Sequence, residues 1–180
     1  MPIKIKIPQQ EFFNEETNEF ITVDGTTLTL EHSLVSISKW ESKWHKHFLN
    51  NKDKTEEEIF DYLRCMTITQ NVNPEIYKYI PIDEIEKVKT YIEDPMTATK
   101  IKHNEKSGRG KILTAEVIYF YMFSYNIPID LEKWHLNRLL TLIDVFNEEN
   151  KPKKKKSPQQ TISEYAALNA ARRARFNSAG

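Results

Sequence analysis

Glycine is scarce in this chain, with four among 180 residues, well below the ~7% of average usage, and the shortage argues against a loop-rich all-β fold. Helix is favoured instead. Cysteine is scarcer still: Cys65 stands alone, which excludes an internal disulfide and fits a reducing compartment. No apolar run approaches the ~18 residues of a membrane span, and MPIKIKIPQQ lacks the apolar core of a secretory signal. The expectation is a soluble protein, without a membrane partner, that stays in the cytoplasm where it is made.

Net charge is missing as well, with 26 basic and 26 acidic side chains, but this is a cancellation. Residues 151–180 hold five Lys and three Arg against one Glu, net +7, so residues 1–150 hold 18 basic against 25 acidic side chains, net −7. What is present in quantity is apolar surface, 39% hydrophobic and 11% aromatic, enough for one core in a chain of this size. The expected organisation is a globular domain over 1–150, a basic linker over 151–160, and a conditional helical tail over 161–180. Within the domain, 1–32 reads as β structure and 33–150 as helical.

Ile3, Ile5 and Ile7 alternate with lysines between Pro2 and Pro8, the period of a half-buried edge strand. EFFNEETNEFITV reads as two strands about a polar turn, and Asp24-Gly25 as a second turn before TTLTLEH. These predict a small antiparallel sheet or a pair of hairpins. From Ser33 the spacing becomes helical, with Leu34, Ile37, Trp40, Trp44 and Phe48 in one stripe. Thr55 and Glu58 form a capping box before a helix over 56–68. Asn73-Pro74 opens EIYKYI, and Asp83 is the expected cap of EIEKVKTYIED. MTATKIKHNEKSGRG reads as an exposed loop. AEVIYFYMFSYN is apolar on nearly every face and is expected to be the buried central helix. Asp130 is the expected cap of a long helix with Leu131, Trp134, Leu139, Ile143 and Phe146 in one stripe. The last segment, TISEYAALNAARRARF, is a helix too short and too thinly apolar to be stable alone. The fold class is therefore α+β, mostly α-helical: a small N-terminal antiparallel sheet or hairpins on a bundle of about five helices, followed by a flexible basic tail.

Residues able to carry chemistry do not assemble by spacing. His45 and His47 fall about 200° apart on the expected helix, His32, His103 and His135 lie in separate segments, and no CxxC or HExxH occurs. No metal, cofactor or catalytic residue is expected. Cys65 is expected to be core packing, Ser107-Gly108-Arg109-Gly110 lacks the order of a phosphate loop, and Glu56, Glu57 and Glu58 favour the positive end of a helix dipole. Lys153, Lys154, Lys155 and Lys156 could neutralise phosphates, yet the acidic body opposes a polyanion. The tail could instead fold back on its own body, or carry the final helix with Arg172, Arg173 and Arg175 to an acidic or helical protein. The tryptophans Trp40, Trp44 and Trp134 are either core or interface, since Trp is common in both.

Several runs are similar to something known. LEHSLVSISKWESKWHKHF, MTITQNVNPEIY, YIEDPMTATK, IPIDLEKWHLNRLLTLID and LNAARRARFNSAG resemble the conserved blocks of a tailed-bacteriophage family whose members carry either the label of tail assembly chaperone or no functional label. The likeness spans nearly the whole chain. It implies a non-enzymatic protein of the infected host cytoplasm that binds the tape measure protein during tail assembly. On that reading, partner contacts would come from Trp40, Trp44, Trp134, Lys153 to Lys156, Arg172, Arg173 and Arg175. A minor head, neck or baseplate component of the virion, and a nucleic-acid-binding accessory protein, are the alternatives.

Overall fold

The computed structural model describes residues 2–14, 18–51, 53–101, 112–150 and 158–176. It is an α+β, mostly helical protein, and the chain divides into two compact units, Met1–Glu148 and Glu149–Gly180. Of the loop expected over 96–110, residues 102–110 lie outside the described residues, as do the lysines Lys153 to Lys156.

Strands β1 (Ile3–Ile7) and β4 (Thr26–Leu30) pair antiparallel, as do β2 (Gln10–Asn14) and β3 (Glu19–Val23). The two ladders share one register: Ile3 faces Leu30, Ile7 faces Thr26, Gln10 faces Val23 and Asn14 faces Glu19. They are two stretches of a single long hairpin. Asp24-Gly25 is therefore not the expected turn; the strand continues past it, opposite Pro8 and Gln9. Pro8 has no N–H to give the ladder, and a Cβ on Gly25 would lie 3.2 Å from the Gln9 nitrogen, so the interruption is a place where two backbones press close. The alternation of the first strand holds: Ile5, Ile7, Leu28 and Leu30 are buried while Lys4, Lys6 and Thr27 are exposed.

Helix α1 (Leu34–Trp44) lies at the centre, with Leu34, Ile37 and Trp40 fully buried. Ser33 caps it by accepting from the Ser36 N–H, and it stops at His45, whose φ of 52° is left-handed. The stop corrects the expected helix through Phe48: His45 and His47 both follow the helix. Phe48 nevertheless reaches the core, its ring 5.1 Å from that of Trp40 and 4.0 Å from that of Tyr62. Helix α2 (Glu56–Met66) opens with the full capping box between Thr55 and Glu58. Loss of the Thr55 hydroxyl in Thr55→Ala is expected to cost about 1 kcal/mol, read as a lower urea midpoint with unchanged slope. Beyond α2 the chain runs beside β4, with the Ile68 N–H donating to the Thr29 carbonyl at 2.9 Å.

A 3-10 helix (Pro74–Tyr79) capped by Asn73 leads to α3 (Ile82–Glu93). Asp83 lies in the first turn of α3 and is not its cap; Pro81 holds that position without a side-chain bond. Helix α4 (Ala115–Ser124) buries only Ala115, Ile118 and Met122. The central helix is thus α1, not α4 as expected. A second 3-10 helix (Ile129–Lys133) and a break at Trp134 precede α5 (Leu136–Glu149), so the expected long helix is split and Asp130 caps nothing of α5. The break has a tertiary cause. Ser33 and His135 form a backbone bridge, and the Leu136 N–H donates to the His32 carbonyl at 2.9 Å. Within the second unit, α6 (Pro158–Phe176) begins three residues before the expected tail segment and keeps Arg172, Arg173 and Arg175 exposed.

Candidate interaction surface

Titratable groups gather at one buried place in the first unit, around His32 and His135, whose rings are 5.1 Å apart. His32 sits where the hairpin ends, Tyr62 on α2, Tyr91 on α3 and His135 just before α5. Nδ1 of His32 is 2.5 Å from the Tyr62 hydroxyl, the His32 N–H donates to the Tyr91 hydroxyl, and Nε2 of His135 is 2.9 Å from the Tyr91 carbonyl. Nδ1 of His135 is buried without a hydrogen-bond partner. Burial, helped by the neighbouring His135, pushes His32 down to about 3, and burial also lowers His135. Two imidazoles that burial keeps neutral cross-link four elements. On its outer side Tyr91 lines an open surface cavity together with Ile3, Asp94 and Met96.

Among the described residues no group of three or more His, Cys, Asp or Glu can hold a metal ion. Cys65 is half-buried and its thiol is pushed up to about 11 by burial and by Asp61, the opposite of an activated nucleophile. The cavity of about 440 Å³ between the hairpin and the 69–79 segment is lined by Thr22, Thr69, Asn71, Asn73 and Tyr79 among others. The structure gives it no buried, converging polar groups.

The partner residues expected from sequence separate cleanly. Trp40 is wholly buried: its indole N–H donates to the Glu58 carbonyl at 2.9 Å and its ring stacks on Trp44. It is core, not surface. Trp44 is half-buried and donates to Asp61 Oδ2 at 2.8 Å, with the Lys43 and Lys46 ammonium groups near its ring and Lys43 ion-paired to Asp61. Trp134 is half-buried under the Arg138 guanidinium, 3.8 Å from its ring. Arg172, Arg173 and Arg175 line the end of α6 in the open. Within the first unit the tryptophans thus differ, Trp40 being core and Trp44 and Trp134 half-buried.

The surface the sequence did not announce is on α4. Phe120 and Phe123 are 64% and 65% exposed, three residues apart and so on one helix face, with exposed Glu116 one turn before them. One flank is fixed by the Tyr119 hydroxyl donating to Glu132 at 2.8 Å. The other is fixed by Tyr121, Tyr125 and Phe146, stacked in series against α5. Exposed Ile112 and Ile129 lie just outside the helix on either side in sequence. Residues 112–132 contain Glu116, Asp130 and Glu132 and no Lys or Arg. In the second unit, α6 exposes Ile162, Tyr165, Leu168 and Phe176, which fall within about 120° of the helix circumference at 100° per residue. Exposed phenylalanines on a rigidly backed helix mark a contact surface more often than an accident.

No described helix is long and apolar enough to cross a membrane. Comparison with known proteins finds no family model, no curated protein and no solved structure that matches this chain. The phage-family likeness rests on the quoted sequence runs alone.

Proposed function

We propose that this chain is a non-enzymatic bacteriophage morphogenesis protein, a tail assembly chaperone that holds the tape measure protein in the infected host cytoplasm while the tail tube forms. The observation that carries the reading is the exposed Phe120 and Phe123 face of α4, backed by the Tyr121, Tyr125 and Phe146 stack. A tape measure protein is a long amphipathic helical rod that exposes apolar stripes until it is encased, and such stripes aggregate unless they are covered. A firm aromatic face is suited to cover them in the helix-in-groove manner, and α6 offers a second apolar stripe for the same purpose. The sequence runs given above supply the phage context.

The test is co-expression with the tape measure protein. The wild-type chain is expected to keep that protein in the soluble fraction and to copurify with it, while Phe120→Ser with Phe123→Ser lowers the recovered complex at least tenfold without changing the far-ultraviolet circular dichroism. Equal recovery with the double variant would sink the reading. Finding the chain by mass spectrometry in purified particles, at fixed copy number, would favour the virion-component alternative.

A further inference from the structure

The isolated chain carries two apolar surfaces of opposite electrostatic character, one on each unit. On the first unit Phe120 and Phe123 stand exposed on one face of α4, and the segment 112–132 holds three carboxylates between Lys111 and Lys133. On the second unit, Ile162, Tyr165, Leu168 and Phe176 of α6 stand exposed beside Arg172, Arg173 and Arg175. The same opposition holds at large scale, with net −7 over residues 1–150 and net +7 over 151–180. Each surface is exposed within its own unit.

We propose that the α4 face is a docking site for α6 of a second copy, and that two copies exchange their α6 helices reciprocally to form a dimer. The chemistry fits. Phenylalanine faces accept guanidinium groups as well as apolar side chains, so Phe120 and Phe123 can take both Tyr165 or Leu168 and an arginine. Glu116 and Asp130 are exposed carboxylates, and an approaching Arg172 or Arg173 would give them a guanidinium. Size favours two copies. With a rise of ~1.5 Å per residue, α4 is ~15 Å long and α6 ~28 Å, so one α4 to α6 contact falls short of the ~1,600 Å² of an ordinary stable interface, whereas a reciprocal pair approaches it. Exchange is isologous and closes on itself, so it yields a dimer and no filament. Between Glu149 and Pro158 eight residues intervene, enough chain to span up to ~28 Å and reach a neighbour.

The proposal does not depend on the tail-assembly reading, and its test uses the purified full-length chain alone. Sedimentation velocity from about 1 to 100 µM is expected to show a dimer for the wild type. Phe120→Asp with Phe123→Asp, and separately Tyr165→Asp with Leu168→Asp, are each expected to weaken the dimer at least tenfold. Mixing the two variants in equal amounts is expected to raise association above that of either variant alone, though below wild type, because one of the two reciprocal contacts is then intact: α6 of one copy on α4 of the other. Raising salt from 50 to 500 mM is expected to weaken the wild-type dimer severalfold. A wild-type chain that stays monomeric across the range, as it would if α6 docked on its own body, overturns the proposal. So does a dimer indifferent to both pairs of substitutions, or a mixture that associates no better than either variant alone. The α6 substitutions fall on exposed positions, so that arm remains decisive even if the α4 pair fails to fold.

Discussion

Unfolding free energy is expected to fall as pH drops below about 6.5, well before the carboxylates titrate. The cause is the buried joint of His32 and His135. His32 is depressed in the folded protein to about 3 by burial and by His135, and His135 is lowered by burial; in the unfolded chain both return to about 6.5. A group whose folded value is depressed contributes its full stability above the unfolded value and loses it as pH falls toward the folded one. For His32 alone the slope approaches 1.4 kcal/mol per pH unit, which removes about 2 kcal/mol by pH 5. His135 adds to it with the same sign.

Among the groups facing this joint, the Tyr91 carbonyl favours a charged His135 through its hydrogen bond, but burial outweighs it. Tyr62 from α2 and Tyr91 from α3 are neutral, and Tyr62 is held well above its ordinary value by burial. Asp94, at the end of α3, favours a charged His135, but this is the smallest influence on that ring. Glu31, at the end of β4, is raised by burial, and so works in the opposite direction only at lower pH. Urea titrations at half-unit steps from pH 7.5 to 5 measure the slope. His32→Gln keeps an acceptor for the Tyr62 hydroxyl and is expected to flatten the slope by roughly half while costing some stability at pH 7.5. A wild-type free energy that stays level from pH 7 to pH 5 would falsify the neutral buried pair.

The same joint explains where sequence reasoning reached its limit. Local signals were legible: period-two isoleucines, the Thr55 and Glu58 box and the Asn73-Pro74 start all hold, because each needs only neighbours in sequence. The split before α5 was not, because the helical period of Leu131, Trp134 and Leu139 is overridden by a backbone bridge from Ser33, about 100 residues earlier. The single long hairpin was hidden for a related reason. Asp24-Gly25 has the chemistry of a turn, and only the partner strand, with Pro8 opposite, makes it an interruption in a ladder. The α4 face was misread by applying a sound rule to too short a helix: ten residues apolar all round imply burial all round only when other elements exist to cover every side. Here α1 covers one side and α5 another, leaving Phe120 and Phe123 in solvent. Trp40 and Trp44 shared one pattern in sequence, and only their contacts separate core from half-buried surface.

Glu41 governs how that α4 face is presented, and its loss is expected to be among the most damaging single changes in the body. It is a buried carboxylate in the middle of α1. Oε1 accepts from the Phe48 N–H at 2.8 Å and Oε2 from the Ala115 N–H at 2.7 Å. Ala115 is the first residue of α4, so this carboxylate stands at the positive end of the α4 dipole and caps it together with Thr114. One side chain thereby fastens the reversal after α1 and the start of α4 to the central helix. Glu41→Ala strips acceptors from two backbone N–H groups, the Ala115 one fully enclosed, with a loss of roughly 2–5 kcal/mol. Glu41→Gln retains one acceptor but turns an amide N–H toward the other donor, so an intermediate loss is expected. Aspartate, one methylene shorter, is not expected to reach both. Urea unfolding of the three variants gives the magnitudes, and amide hydrogen exchange gives the location: protection of Phe48 and Ala115 should fall first, with the centre of α2 little changed. An alanine variant that loses under 1 kcal/mol, or that keeps Ala115 protected, would show that the carboxylate does not hold α4. In that case the fixed backing of Phe120 and Phe123 would have to come from the Tyr119–Glu132 bond and the Tyr125 and Phe146 stack.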